Sequence, residues 1–263
     1  MNDYHTHTSF SEDSETPMEQ MLEKAYQLGL KQLAVTDHYD PDFPDDEWTF
    51  DLDFDNYWQA LCENEDRFKD KIELVKGIEI GILPGDTLAK CRDTAEMFPY
   101  DLVIGSFHAF NGYDLDRRNF EGMEKEEIIP RFYSIMYDCL RSFHDFDIIG
   151  HFNIIDRYLD FKPDYSGVRD LIAEILKILI DEDKSIELNT SSYRYGMGER
   201  THASKDILML YRDLGGRNVT ISSDAHKPEQ IALEFGKARD ILRSAGFERL
   251  SVYKGRQRSE ISF

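Results

Sequence analysis

The chain has few cysteines, few basic residues and no apolar run long enough to cross a membrane. Its cysteines are odd in number and widely spaced, which argues against a disulfide framework and against a zinc knuckle; they are Cys62, Cys91 and Cys139. The amino-terminal residues are polar and lack the apolar core of a signal peptide. We therefore expect a soluble, cytoplasmic protein with reduced cysteines and no membrane partner.

Basic residues are too few to balance the acidic ones. Lys and Arg number 31 against 52 Asp and Glu, which gives a formal net charge of −21. This charge disfavours binding to nucleic acid or to an anionic membrane surface, both of which select basic patches. It does not exclude a phosphorylated small molecule, because bound metal ions and a few arginines can reverse the field locally.

Strand and helix signals alternate along the whole chain. Pro17 begins a predicted helix that ends before Gly29, and a later helix is predicted over 228–245, followed by a late strand over 250–253. About seven β/α units can be counted, one fewer than in the common eightfold barrel. Such alternation predicts a mostly parallel sheet with helical crossovers. We find no linker or repeat, so we expect a single domain over 1–263.

Potential metal ligands follow the predicted strands. Six of the eight histidines, together with carboxylates, stand at strand ends, which is where an α/β barrel has its active site. These residues are His5, His7, His38, Glu79, His108, His151, Asp224 and His226. Any one of them alone is explained as readily by a core histidine or a turn. Their recurrence at successive strand ends favours one shared chemical site.

The residue types in this set indicate a multinuclear metal centre. His5 and His7 are two apart on an extended segment and point the same way. Imidazoles beside carboxylates suit Zn²⁺, Mn²⁺ or Fe²⁺. Glu79 ends a run that should be buried, where an unpaired carboxylate is costly. There are too many ligands for one four-coordinate ion, so we expect at least two metals.

The motifs resemble those of the polymerase-and-histidinol-phosphatase superfamily, and of its histidinol-phosphatase branch in particular. They are His5-Thr6-His7-Thr8, Thr36-Asp37-His38, Gly77-Ile78-Glu79, His108, Gly150-His151 and Ser223-Asp224-Ala225-His226. They occur in order from near residue 4 to near residue 228. The resemblance implies a distorted seven-stranded (β/α)7 barrel with two or three divalent ions (Zn, Mn or Fe).

The same resemblance implies a ligand set for each ion. The first ion would be held by His5, His7, Glu79 and Asp224, and the second by Glu79, His108 and His151. The third would take Asp13, His38 and His226. Many members of the superfamily have a histidine where this chain has Asp13. An oxygen ligand there would weaken the third site or shift its preference toward Mn²⁺ or Fe, and a loop acid or helix cap is an equally good explanation of Asp13.

The resemblance implies hydrolysis of L-histidinol phosphate to L-histidinol and phosphate in histidine biosynthesis, by a hydroxide that bridges two metals.

Arg157 and Arg194 follow strand ends and resemble the phosphate-binding arginines of the family. The alternative explanation is that each forms an ion pair at the surface. We name both as catalytic and substrate-binding candidates, alongside Glu79 and Asp224. Arg117 and Arg118 are weaker candidates. The acidic loop over 40–53 is a candidate receptor for the substrate's amine and imidazole.

Three other functions stay open. The first is a superfamily member that hydrolyses another phosphomonoester or acts on a nucleotide, with the net charge disfavouring an oligonucleotide. The second is an amidohydrolase-like barrel, which usually adds a metal-bridging lysine that no strand end supplies here. The third is a non-catalytic metal-binding protein, against which Arg157 and Arg194 argue. The sequence does not indicate an oligomeric state.

Overall fold

The computed structural model describes residues 1–45, 49–116, 120, 122–197 and 200–263. The strands in chain order are β1 (Asn2–Asp3), β2 (Gln32–Val35), β3 (His38–Tyr39), β4 (Glu73–Gly81), β5 (Leu102–Ser106), β6 (Ala109–Phe110), β7 (Tyr113–Asp114), β8 (Ile148–Ile149), β9 (Ser185–Asn189), β10 (Val219–Ser222), β11 (Arg249–Lys254) and β12 (Gln257–Ser262). The α-helices are α1 (Met18–Gln27), α2 (Phe54–Phe68), α3 (Thr87–Met97), α4 (Lys125–Leu140), α5 (Arg169–Asp181), α6 (Lys205–Asp213) and α7 (Phe235–Ser244).

Seven parallel strands form a nearly closed barrel, as the sequence predicts. Their order is β1-β2-β4-β5-β8-β9-β10, and β3 pairs with the carboxy-terminal half of β4. Beyond the paired residues of β1, the chain continues to Thr6, which bridges in parallel to Ala225 after β10, and the His7 N–H donates to the Ala225 carbonyl at 2.8 Å. This contact between the first and last strands brings the two ends of the ligand series together.

The helices pack outside the barrel through one apolar face. In α5 the buried residues are Ile172, Ile175, Leu176 and Leu179, at the spacing that places side chains on one side of a helix. The strands are covered on both faces: β9 and β10 are buried along their entire length. Two-sided burial explains why the sequence shows near-continuous apolar runs there rather than alternation.

A carboxy-terminal hairpin of β11 and β12 closes the amino-terminal end of the barrel. Val252 and Tyr253 pack with Tyr4 and interior residues of the strands. The Tyr253 hydroxyl donates to the Asp147 carbonyl at 3.2 Å and lies 2.7 Å from the Ser185 hydroxyl. The late strand predicted over 250–253 is therefore part of this hairpin. Its partner β12 is mostly exposed and gives no apolar signal in the sequence.

The prediction of a helix over 228–245 is wrong for the first half of that range. The chain makes a short 3₁₀ turn at Pro228–Gln230, and α7 begins only at Phe235. Between them Ala232 and Glu234 have φ of 55° and 58°, which a helix does not allow. The Ala232 N–H donates to the buried Asp3 carboxylate at 3.0 Å, so a tertiary contact overrides the local helical pattern. Within the described ranges, no helix has the length and apolarity needed to span a bilayer.

Candidate metal centre and active site

All of the predicted ligands lie at the carboxyl end of the barrel. His5 and His7 follow β1, His38 begins β3, and Glu79 lies in the last third of β4. His108 follows β5, His151 follows β8, and Asp224 and His226 follow β10. Parallel strands place their carboxyl ends at one rim, so residues more than two hundred positions apart in sequence become neighbours.

Glu79 stands at the centre of the cluster, fully buried, and its two carboxylate oxygens face different histidines. Its Oε2 lies 3.0 Å from His5 Nε2, 3.5 Å from His7 Nε2 and 2.9 Å from His38 Nδ1. Its Oε1 lies 3.2 Å from His108 Nε2 and 3.1 Å from His151 Nε2. One carboxylate thus joins two groups of nitrogen ligands, which is the arrangement required of a residue shared by two ions.

The remaining ligand candidates extend the cluster on the side of His7. His7 Nε2 lies 3.4 Å from Asp224 Oδ1, and the ring centroids of His38 and His226 each lie 4.2 Å from that of His7. Asp13 Oδ2 lies 2.9 Å from His226 Nε2 and 3.8 Å from His38 Nε2. All nine predicted ligands therefore meet in one place.

Several ligand atoms in this cluster contact one another at ion-pair distance but form no hydrogen bond among the described residues. They are the buried His5 Nε2, His7 Nε2, His38 Nδ1, Glu79 Oε2 and His226 Nε2. Buried polar atoms normally form hydrogen bonds, so these five are available as metal ligands. The groups His5–His7–Asp224 and Glu79–His108–His151 each present ligand atoms within 4.8 Å of one another. The residues present therefore fit bound divalent ions.

Charges within the cluster oppose the effect of burial. Burial by itself would raise the pKa of Glu79, but the charges of His5, His38 and His108 outweigh it and hold that pKa well below its usual range. Burial, with the charges of His38 and His226, keeps the pKa of His7 well below its usual range. The charge of Glu79 raises the pKa of His5 and His38 despite their burial, and the charges of Asp40 and Glu79 raise that of His108. Because a metal binds ionised glutamate and neutral imidazole, ions bound here would displace protons from these three histidines.

A carboxylate outside the predicted ligand set orients His108. Asp40 is buried and its Oδ2 lies 2.6 Å from His108 Nδ1, which leaves Nε2 directed at Glu79. A Cβ at Gly81 would lie 2.2 Å from the Asp40 carboxylate, so only glycine leaves room for it. Such partners fix the tautomer and the direction of a ligating imidazole. The sequence reading placed Asp40 with the acids of the loop and missed this contact, for which the sequence offers no signal.

Glu187 serves His5 in the same way. Its Oε1 lies 2.8 Å from His5 Nδ1, and its Oε2 accepts the backbone N–H of His151 at 2.7 Å. The signal for it was present, because Glu187 is a carboxylate within the apolar run of β9. Glu187 is not among the ligands predicted from the sequence.

Asp37 is a structural acid rather than a ligand. It accepts hydrogen bonds from the Thr8 N–H at 2.6 Å, the Thr8 hydroxyl at 2.8 Å and the Ser11 hydroxyl at 2.7 Å. The Ser11 hydroxyl in turn lies 3.2 Å from His7 Nδ1. Asp37 therefore holds the loop that follows the His-x-His segment.

The two predicted arginines lie in different surroundings. Arg157 lines the cavity above the cluster, donates from Nη2 to the Ser191 hydroxyl at 2.6 Å, and its Nη2 lies 3.8 Å from Asp224 Oδ2. Its guanidinium lies 4.0 Å from the centroid of the Tyr195 ring. Arg194 instead donates at 2.6 Å to each of the carbonyls of Ser223 and Asp224.

The contacts of Arg194 brace a strained turn. Asp224 has a φ of 54°, in the left-handed region that non-glycine residues seldom occupy. Two charged donors on adjacent carbonyls stabilise this backbone, and they thereby position the Asp224 carboxylate. Arg194 is not among the residues that line the cavity, although each of its terminal nitrogens has a second N–H to offer.

The cavity above the cluster has a volume of about 300 Å³. His38, His151 and His226 reach it from the metal cluster, and Arg157 lies beside them. Phe43 and Phe50, Leu115, Ile154 and Tyr158 form apolar walls, and Asp114 and Asp116 add two carboxylates. The volume suits a small molecule rather than a polymer.

The two histidines outside the predicted set lie in different surroundings. His144 Nε2 is 2.6 Å from the Leu140 carbonyl, after the end of α4 and away from the cluster. His202 is fully buried and its backbone bridges to Asn189. Burial lowers the pKa of His202 well below its usual range and the charges of Arg157 and His151 add to this effect, so His202 lies beside the site. Arg117 and Arg118 lie outside the described residues.

Comparison with known proteins assigns the family. The profile of the PHP domain matches residues 3–191. The chain belongs to the PHP domain family. The resemblance read from the motifs is thereby confirmed.

Relatives and solved structures extend the match over nearly the whole chain. The histidinol-phosphatase of Lactococcus lactis subsp. lactis (strain IL1403) is 29% identical over 264 residues, covering 96% of this chain and 94% of that protein. A probable histidinol-phosphatase of Clostridium acetobutylicum is 30% identical, with 90% of each chain covered. The solved structure of the L. lactis histidinol phosphate phosphatase, complexed with Zn, L-histidinol and phosphate, superposes with a TM-score of 0.88 at 27% identity, covering 98% of both chains.

Proposed function

We propose that this chain is a metal-dependent phosphomonoesterase that hydrolyses L-histidinol phosphate to L-histidinol and phosphate. The observation that carries the proposal is the position of Glu79, whose two oxygens face two sets of histidines beneath a small cavity that also contains Arg157. Full-length similarity to histidinol-phosphatases, one of them solved with Zn, L-histidinol and phosphate, supports the same substrate.

The ligand assignment is the one that the family resemblance implies, and the distances around Glu79 and Asp224 support its first two sets. We propose that His5, His7, Glu79 and Asp224 hold one ion, Glu79, His108 and His151 a second, and Asp13, His38 and His226 a third. The imidazole-rich set suits Zn²⁺, and Mn²⁺ or Fe²⁺ remain part of the proposal. When bound there, divalent ions acidify water and withdraw charge from phosphoryl oxygens.

The chain's own residues would place the substrate for in-line attack. Arg157 is fixed by Ser191 and by the face of Tyr195, so its guanidinium is preorganised to bind phosphate oxygens. Arg194 keeps Asp224 in its left-handed conformation. We propose that its remaining N–H groups also contact the phosphate. The apolar walls exclude water from the leaving alcohol.

The decisive experiment measures phosphate release from L-histidinol phosphate by metal-reconstituted protein, against a panel of other phosphomonoesters. We expect a strong preference for histidinol phosphate, and loss of activity in His108→Ala. His144→Ala is the matched control, since that histidine lies away from the cluster. Even activity across the panel would leave a metallophosphatase without this substrate, and inactivity with every metal would point to a non-catalytic protein.

A further inference from the structure

A serine hydroxyl contacts the carboxylate at the centre of the cluster. Ser106 is the last residue of β5, is fully buried, and its Oγ lies 2.5 Å from Glu79 Oε1. The hydroxyl is the donor in this contact, because the charges of nearby histidines hold the pKa of Glu79 well below its usual range and keep its carboxylate ionised. Ser106 is not among the site residues predicted from the sequence.

This hydrogen bond makes the two oxygens of Glu79 chemically different. Oε1 accepts from Ser106 and also lies 3.2 Å from His108 Nε2 and 3.1 Å from His151 Nε2. Oε2 faces the histidines of the other proposed set and, across the described ranges, accepts no hydrogen bond. A carboxylate oxygen has two lone-pair directions. The serine therefore occupies one direction of Oε1 and leaves the other for the space between His108 and His151.

A glycine on the neighbouring strand leaves the room that the hydroxyl occupies. The pairing of β5 with β8 places Gly150 beside Ser106. A Cβ at Gly150 would lie 2.3 Å from Ser106 Oγ, which is too close for any real contact, and 3.1 Å from a methyl group of Ile104. Its distance to Glu79 Oε1 would be 3.6 Å, an ordinary contact. Gly150 does not have a positive φ, so glycine is needed here for space rather than for backbone conformation.

The same construction supports another member of the second proposed set. Asp40 holds the ring of His108, and Gly81 leaves room for the Asp40 carboxylate. Ser106 stands in the same relation to Glu79. An unrestrained carboxylate can rotate about its last C–C bond and direct both oxygens at one group of histidines. The hydrogen bond from Ser106 opposes that rotation and keeps Oε1 on the side of His108.

We propose that Ser106 is a positioning residue that holds Glu79 in the orientation in which the two proposed ligand sets share it. The inference rests on the proposed ligand assignment and deepens it. Among the described residues, Ser106 is not one of those that line the cavity, so it does not contact the substrate. Its effect is confined to the affinity of the second set, formed by Glu79, His108 and His151.

The test measures zinc binding step by step. Metal-free wild type and Ser106→Ala are titrated with Zn²⁺ in competition with a fluorescent chelator, and elemental analysis counts the ions retained. His108→Ala identifies the step that belongs to the second set, because it removes a ligand from that set alone. We expect Ser106→Ala to weaken the same step about ten- to a hundredfold and to leave the other steps unchanged.

The matched control is Ser251→Ala. Ser251 is a buried serine of β11, in the hairpin at the opposite end of the barrel, and its hydroxyl has no hydrogen-bond partner within the described part of the chain. Its removal should leave every binding step as in the wild type. The control therefore separates the loss of a buried hydroxyl from the loss of this particular contact.

A second variant reaches the hydroxyl of Ser106 from the neighbouring strand. Gly150→Ala places a methyl group where that hydroxyl lies, so it should displace the hydroxyl and weaken the same zinc-binding step. Combined with Ser106→Ala, it no longer meets the hydroxyl. We therefore expect the double variant to lose about as much affinity as Ser106→Ala alone, rather than the product of the two losses. Losses that multiply would overturn the link between Gly150 and Ser106.

The remaining outcomes distinguish the role of Ser106 from the proposed function. Equal weakening of every step in Ser106→Ala, or no weakening of any, would overturn the positioning role and leave the phosphatase proposal intact. Phosphate release from L-histidinol phosphate is assayed separately with the wild type. Stepwise zinc binding with selective loss in Ser106→Ala but no phosphate release would establish the positioning role and overturn the proposed function. A wild type that binds no zinc would overturn both.

Discussion

At the scale of single residues, the buried carboxylates near the site divide into two kinds. Glu79 and Asp224 face histidine nitrogens directly, whereas Asp40 and Glu187 face the far side of histidine rings. The sequence predicted the first kind, because a ligand's position at the end of a strand is visible in the apolar pattern. It could not predict Asp40, because which ring a loop carboxylate meets depends on how two loops pack.

The substitution Asp40→Asn tests whether Asp40 orients His108. A neutral amide accepts a weaker hydrogen bond from His108 Nδ1 than a carboxylate does, so Nε2 is held less firmly toward Glu79. We expect metal affinity to fall about ten- to a hundredfold, as for other residues that hold a ligating histidine. Competition with a fluorescent chelator measures that affinity without an activity assay. Activity should recover at high metal concentration.

The control for this prediction is Asp42→Asn, a nearby acid of the same loop that pairs with Lys90 at the surface. It should bind metal as the wild type does. If Asp40→Asn bound metal with unchanged affinity, the carboxylate would be structural only, and the fit between Asp40 and Gly81 would have to be explained by packing.

At the scale of elements, the strands and most helices are predictable and the loops over the site are not. Helix α1 is found where its boundary residues predict it, over Met18–Gln27, because the signals of Pro17 and Gly29 are local. The break before α7 is not local, since it depends on the Asp3 carboxylate from the other end of the chain. The contacts that shape the cavity are likewise between loops: the Glu12 carboxylate accepts the N–H groups of Thr49 and Phe50.

The segment that carries Arg157 contains its own buried acid, and this predicts a pH dependence of stability. The Asp156 carboxylate accepts hydrogen bonds from the Tyr165 hydroxyl and the Asn153 amide, both of which lower its pKa. Burial outweighs them and raises the pKa of Asp156 from 3.8 to about 6. Because the pKa of Asp156 is higher in the folded than in the unfolded chain, protonation of Asp156 favours the folded state. This stabilisation is complete below pH 3.8, the pKa in the unfolded chain, and is lost as pH rises through about 6.

Asp156→Asn removes that titration. We compare the free energy of unfolding of the wild type with that of the variant at each pH. The difference, wild type minus variant, should fall by up to about 3 kcal/mol as pH rises from about 4 to about 7. Urea unfolding of both metal-free proteins across this range measures it. Asp164→Asn is the control, because its carboxylate is exposed and hydrogen bonding to Ser166 lowers its pKa instead. Parallel pH profiles for wild type and Asp156→Asn would rule out an Asp156 that is protonated in the folded state.

At the scale of the whole molecule, barrel closure is what converts scattered ligands into a site. The sequence predicted the alternation of about seven β/α units and the family resemblance implied a barrel, but which residues make the closing contact, Thr6 with Ala225, could not be read from either. The net charge of −21 acts at this scale too. Bound divalent ions offset part of the acidic excess at its most buried point, around Glu79 and Asp224.

Removing metal should therefore destabilise the entire barrel. The cluster joins β1, β3, β4 and the ends of three later strands, so ions bound there hold together elements far apart in sequence. One ion at a thousand times its dissociation constant stabilises a folded protein by about 4 kcal/mol, which for a chain of this size corresponds to roughly 10 °C in Tm. Chelation followed by calorimetry should show at least that loss.

Different ions added back to the metal-free protein should restore Tm to different extents, which tests the predicted type of ligand set. Zn²⁺ added back should restore Tm, whereas Ca²⁺, which prefers all-oxygen sites, should not, because imidazoles dominate the ligand set. His108→Ala should recover less of the loss than the wild type, since it removes a ligand from the second proposed site, while His144→Ala should recover it fully. An unchanged Tm after metal analysis has verified complete removal would contradict the view that the cluster is built around ions. It would mean that Glu79 and its histidines are stable as a network of charges and hydrogen bonds alone.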